Sequence, residues 1–143
     1  MSALLTYPDW STVPSRDWPW FNFTPQEMRC KGTGQVKVSP DFMNKLQALR
    51  ERLGFALPVT SGYRSPAYNA EVSKTGPTGP HTTGCACDIA IYGERAYLLM
   101  AWAVDFGFTG IGWKQHGPRS QRFIHIDDLP GPEYPRPWIW TYK

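Results

Sequence analysis

The stretch His81-Thr-Thr-Gly-Cys-Ala-Cys-Asp88-Ile-Ala-Ile91 decides how this chain is read. The segment Lys74 to Gly84 that leads into it holds three glycines and two prolines, which forces a loop. That loop delivers His81 to the start of a strand expected over Cys85–Tyr92. Asp88 heads the apolar run Ile89-Ala90-Ile91, and a carboxylate at the head of a buried strand is costly unless it is paired or metal-bound.

A second stretch, Phe123-Ile-His125-Ile-Asp127-Asp128, answers the first. Side chains alternate between the faces of a strand, so His125 and Asp127 share one side while Ile124, Ile126 and Asp128 share the other. The isoleucines mark their side as the core face, which projects His125 and Asp127 together into a cleft. Asp128 falls at the strand end, within reach of solvent or a turn amide. His81, Asp88 and His125 together offer two imidazoles and a carboxylate. Such a set leaves one coordination position of a zinc ion open, the feature that separates catalytic from structural zinc sites. The chain has three histidines, and two of them lie in these stretches. Read singly, each stretch has a plainer meaning: Asp88 as a turn cap, His81 as a solvated loop residue, and His125-x-Asp127 as a chance pair.

Around these stretches the chain reads as alternating short elements. Residues 1–23, rich in Pro and Trp, read as an irregular arm laid over the core, and residues 24–143 as the domain proper. Thr24-Pro25-Gln26-Glu27 is a capping box with proline at the first helical position. Ser39-Pro40-Asp41 opens a longer helix whose Phe42, Leu46, Leu49 and Leu53 recur at helical spacing until Gly54 closes it. Leu57 to Ser61 reads as a strand, and Ser65-Pro66 caps a short helix carrying Tyr68, Asn69 and Val72. Glu94 to Phe106 reads as a helix burying Leu98, Leu99 and Trp102, stopped by Gly107. Strands at about 108–113, 121–127 and 137–142 complete the set. Helices and strands in mixed order with short returns indicate one α+β domain, a small antiparallel sheet packed with helices.

Composition narrows the function classes. A chain of 143 residues with seven each of Trp, Tyr and Phe can bury a self-sufficient core. A net charge of +3 without a basic run does not mark a nucleic-acid binder, although it suits work beside an anionic wall. No run of about 18 apolar residues marks a membrane span. The N-terminus lacks the basic start and apolar core of a secretory signal, so synthesis in a cytoplasm is expected. Cys85 and Cys87, two apart on a strand, are badly placed for a disulfide and read as buried thiols. A thiolate zinc site is the alternative, without the usual CxxC spacing.

With Ser61-Gly62-Tyr63-Arg64-Ser65-Pro66-Ala67-Tyr68-Asn69 and the late Arg136-Pro137-Trp138 added, the ordered motifs resemble the zinc D-alanyl-D-alanine peptidases, in their HxD branch, a family sharing its fold with the hedgehog signalling domain. The likeness runs from about Phe23 to Trp138. It implies one zinc ion per chain, held by His81, Asp88 and His125. It implies that Arg64 holds a substrate carboxylate or oxyanion, and that Asp127 acts as general base and acid. Two positions depart from the pattern. Gly79 stands where many members have serine two before the first histidine, and Arg122 stands where many have a carboxylate three before the last.

The expected substrate is the peptide stem of peptidoglycan. The missing export signal favours a phage or prophage endolysin cutting L-alanyl-D-glutamate, made in the host cytoplasm and reaching periplasmic peptidoglycan once the membrane is opened. D-alanyl-D-alanine carboxypeptidase and a non-catalytic zinc-binding module are the alternatives. A monomer is expected, with no nucleic-acid partner and no membrane insertion. His116 reads as a solvated loop histidine or as an accessory donor at the cleft rim. Trp138 and Trp140 read as core, with glycan or peptide stacking as the rival.

Overall fold

The computed structural model describes residues 3–143. Local signals in the sequence start most of its helices. The Thr24 side chain accepts the Glu27 amide and Glu27 reaches back to the Thr24 amide, setting the short helix α1, Pro25–Met28. Ser39 caps α2, Pro40–Leu53, which ends at Gly54 with φ of 75°, a left-handed cap that a glycine adopts without steric cost. Phe42, Met43, Leu46 and Leu49 of α2 are fully buried. Ser65 caps α3, Pro66–Val72, and α4 spans Gly93–Ala103.

The strands are β1 Leu5–Tyr7, β2 Val36–Val38, β3 Val59–Ser61, β4 Ala86–Ala90, β5 Gly110–Lys114, β6 Phe123–Asp127 and β7 Trp138–Thr141. The first two form an antiparallel pair. The other five form one sheet in the order β3-β4-β6-β5-β7, antiparallel except where β7 joins β5 in parallel at the edge. The chain is thus an α+β domain. Cys87, Ile89, Ile111, Ile124 and Ile126 bury one face of this sheet in a core shared with α2 and α4.

The segment read as an irregular arm contains strand β1, and its Trp20 and Phe23 belong to the hydrophobic core. Trp20 is held there by its indole N–H to Asn44 Oδ1 at 2.8 Å. In α4, Leu99 is fully buried, but Leu98 and Trp102 are only half-buried. The Arg52 guanidinium covers Trp102 from outside, 4.1 Å from the ring centroid. The two late tryptophans are not core residues. Trp138 is 56% exposed and Trp140 half-buried, because β7 is an edge strand.

The second face of the sheet positions the functional residues. Pairing registers Ser61 against Asp88, Asp88 against His125, His125 against Gly112, and Gly112 against Trp140. Directly opposed residues project to the same side, so one row crosses all five strands and carries Asp88 and His125 at its centre.

Candidate metal centre and active site

Asp88 and His125 reach the same place through strand pairing; His81 arrives from the loop. The loop is clamped from both sides. The Arg64 amide donates to the His81 carbonyl at 2.9 Å, and buried Asn69 donates from Nδ2 to Thr75 Oγ1 at 2.8 Å. The departure at Gly79 has a steric reason here. A Cβ at that position would lie 2.0 Å from Thr75 Oγ1, so the threonine hydroxyl occupies the room a serine would need.

The three side chains converge. His81 Nε2 lies 3.2 Å from Asp88 Oδ1, His125 Nδ1 lies 3.2 Å from the same oxygen, and the two nitrogens are 3.3 Å apart. All three residues are buried. Their outward nitrogens settle the tautomers. His81 Nδ1 sits 2.7 Å from the Gly62 carbonyl, which can only accept, so this nitrogen carries the proton. His125 Nε2 sits 2.7 Å from Asp127 Oδ2, again an acceptor. In the neutral rings both inward nitrogens are therefore lone pairs, facing a carboxylate oxygen. Such an array repels itself until a cation sits between its members, and its borderline nitrogen and oxygen donors suit zinc. This donor set fits a divalent metal ion.

The electrostatics agree. Burial disfavours charge on Asp88, but the His81 and His125 imidazoles outweigh it and hold the carboxyl well below its usual range. Burial also opposes a charge on His125, and the Asp127 and Asp88 carboxylates outweigh that, so the imidazole is pushed up. The pocket favours positive charge at its centre.

Asp127, expected as the proton-transfer group, lies where it cannot serve water or substrate. It is 0% exposed. Oδ2 accepts a hydrogen bond from His125 Nε2–H, and Arg136 grips both oxygens, Nε to Oδ1 and Nη2 to Oδ2, each at 2.9 Å. Burial would raise its pKa, but His125 and Arg136 bring it down to about 2. The alternation that put His125 and Asp127 on one face was correct; the cleft it was expected to face is filled by Arg136. Asp127 orients the histidine from behind, as carboxylates beside metal-ligating imidazoles do. Asp128, on the opposite face, pairs with Lys45 Nζ at 2.9 Å.

Arg64 does face the cluster. Its Nε donates to Ser61 Oγ at 3.0 Å and Nη1 to Asn69 Oδ1 at 3.1 Å, while Nη2 lies 3.6 Å from Asp88 Oδ2. The guanidinium is thus fixed at two corners with its third beside the cluster. It lines a cleft of about 340 Å³ together with Arg29, Lys31, Tyr63, Phe123 and Asp88. Arg122 turns away, donating from Nε to the Gly117 carbonyl at 3.0 Å. His116 is exposed, with Nε2 3.1 Å from the Tyr142 carbonyl. The three cysteines are unpaired, and Cys30 and Cys87 are buried.

Two residues of the site take places the sequence did not assign them: Arg136, named only as part of a motif, and Trp140, read as core or as a stacking surface. Trp140 packs on His125 with ring centroids 5.1 Å apart. Both need space that only glycine leaves. A Cβ on Gly110 would lie 2.5 Å from Arg136 Nε, and one on Gly112 would lie 2.3 Å from Trp140 Nε1. Glycines at alternate positions of a strand, Gly110-Ile-Gly112, were the available signal of a close approach on that face.

A family model described as Peptidase M15 matches residues 21–127, a span that contains His81, Asp88, His125, Asp127 and Arg64. No curated protein and no solved structure matches the chain.

Proposed function

The chain belongs to the M15 peptidases, zinc-dependent enzymes, and from that premise we propose that it hydrolyses an amide bond in the peptide stem of bacterial peptidoglycan, with His81, Asp88 and His125 holding one zinc ion. The observation that carries this reading is the convergence of three electron-pair donors, with the outer nitrogens of the two histidines already committed to Gly62 and Asp127. A bound zinc ion would supply an electrophile for the amide carbonyl and lower the pKa of water.

The remaining work falls to the protein. Gly62 and Asp127 keep the histidine protons on the outer nitrogens. Arg136 keeps Asp127 ionised and in place. Arg64, fixed by Ser61 and Asn69, holds its third corner beside Asp88 at the cleft, where it meets a substrate carboxylate or the oxygen on which negative charge builds. A positive group fixed before reaction costs no reorganisation when that charge develops.

The cleft chooses an acidic peptide. Arg29, Lys31 and Arg64 line it, and Asp88, a ligand, is its one carboxylate. A stem peptide cut between L-alanine and D-glutamate carries a free carboxylate on the leaving residue and more acidic groups beyond it. A terminal D-alanine offers one carboxylate, for which one cation suffices. Three cations therefore support the L-alanyl-D-glutamate endopeptidase, the activity of an endolysin from a phage or prophage, over D-alanyl-D-alanine trimming. The same cationic cleft, open beside the cluster, supports an enzyme over a zinc-binding module without activity.

Mass spectrometry of purified muropeptides digested with the zinc-loaded protein tests the proposal. New N-terminal D-glutamate is the expected product. Release of free D-alanine with the L-alanyl bond intact would assign the carboxypeptidase instead. No zinc-dependent cleavage of any stem peptide would leave only the non-catalytic module.

A further inference from the structure

Two groups have no part in the chemistry so far, His116 and Tyr142, and they touch. Tyr142 follows directly on β7, with its amide donating to the Trp113 carbonyl at 2.9 Å. Residues two apart in extended chain share a face, so its ring lies on the same side of the sheet as Trp140. Thr141 registers against Trp113 and Lys114 against Phe123, which sets Tyr142 one step along from the row that holds Asp88 and His125.

Its neighbours locate the phenol. The ring packs on Phe123 with centroids 4.9 Å apart, and Phe123 lines the cleft with Asp88 and Arg64. On its other side is Trp140, 6.4 Å between centroids, whose indole nitrogen lies over Gly112, the cross-strand neighbour of His125. Tyr142 is bracketed between the cleft wall and the ring that covers a ligand. Burial, followed by the Asp88 charge, pushes its hydroxyl up to about 12. The group stays protonated and is a donor throughout the neutral range. The backbone that carries it is pinned by His116, whose Nε2–H donates to the Tyr142 carbonyl at 3.1 Å.

We infer that Tyr142 is a further catalytic residue of the peptidase proposed above: its hydroxyl donates a hydrogen bond to the scissile carbonyl oxygen as negative charge builds there, sharing that oxygen with Arg64, and His116 is its positioning residue. The inference rests on the peptidase reading. No proton is transferred in this step; the phenol keeps its hydrogen and the hydrogen bond shortens as charge develops. With Asp127 committed to His125, Tyr142, packed on the cleft residue Phe123, supplies a second donor beside Arg64. A neutral, fixed donor of this kind is effective because it is oriented before the charge appears.

Tyr142→Phe tests the inference, because it keeps the ring between Phe123 and Trp140 and removes the hydroxyl alone. Loss of one such donor should lower kcat about 100-fold, with KM, zinc content and melting temperature unchanged. A Tyr142→Phe enzyme with wild-type kcat would overturn it. His116→Ala should lower kcat by a smaller factor, His116→Gln should restore it by returning an N–H donor, and His116→Ala should have no further effect on kcat in the Tyr142→Phe background. An undiminished effect in that background would overturn the positioning role. A wild-type protein that cleaves no stem peptide with zinc would instead remove the peptidase reading itself, whereas an active wild type with a fully active Tyr142→Phe removes this inference alone.

Discussion

Replacing Asp127 by alanine should damage fold and metal binding together, rather than turnover alone. The structure supplies the magnitude. Asp127 is fully buried, Arg136 has a side chain 5% exposed, and His125 one that is 2% exposed. Removing the carboxylate leaves a guanidinium and an imidazole N–H without their acceptor, away from water. Breaking a buried pair by deleting one partner costs about 3–5 kcal/mol. For a domain of this size that corresponds to roughly 10–20 °C in melting temperature. The metal adds a separate loss. Deleting the group that orients a ligating histidine weakens metal affinity about 10- to 100-fold, or roughly 1.4–2.7 kcal/mol, which disappears from the stability of the zinc-loaded form. Asp127→Asn should be milder, since its amide oxygen can still accept from His125, although the amide NH2 then confronts Arg136. Thermal melts of metal-free and zinc-loaded protein, with chelator competition for zinc affinity, measure the two losses independently. If Asp127→Ala keeps wild-type zinc affinity and wild-type melting of the metal-free form, yet loses turnover, then Asp127 is a proton-transfer group and the orienting role argued from its burial is wrong.

Asp128→Ala should leave activity unchanged and cost at most about 1 kcal/mol, since it gives up one partly exposed pair with Lys45 on the other face; melting and turnover assays check both. His81→Ala and His125→Ala should each abolish stoichiometric zinc binding, read by elemental analysis, and chelation of the wild type should abolish activity and lower its melting temperature. Arg64→Lys keeps the charge but cannot hold Ser61 and Asn69 while pointing a third corner at the cleft, so kcat/KM should fall about 100-fold with zinc retained. Gly112→Ala should cost about 1–3 kcal/mol and push Trp140 off His125, a displacement visible as a change in tryptophan fluorescence.

The helix starts at Thr24, Ser39 and Ser65, the glycine stop at Gly54 and the loop that carries His81 were legible in the sequence, because each depends on a few adjacent residues and backbone groups that must be capped or turned. Alternation likewise sorted Ile124 and Ile126 from His125 and Asp127, since strand periodicity is a local property. The candidate metal-binding set was readable for a different reason: few side chains can ligate zinc, and the motifs named the three that the fold brings together. What tertiary structure alone decided is what each face meets. Alternation could say that His125 and Asp127 point the same way, but not that Arg136 returns through a loop to fill the space before Asp127. Nor could it say that Trp140 leaves the core to lie over His125, that β1 pairs with a strand some thirty residues away, or that His116 reaches the Tyr142 carbonyl. These contacts depend on strand register and loop path, which are set by the packing of the whole chain. A carboxylate that reads as free to move a proton on an isolated strand is, once the sheet is assembled, buried between a histidine and an arginine.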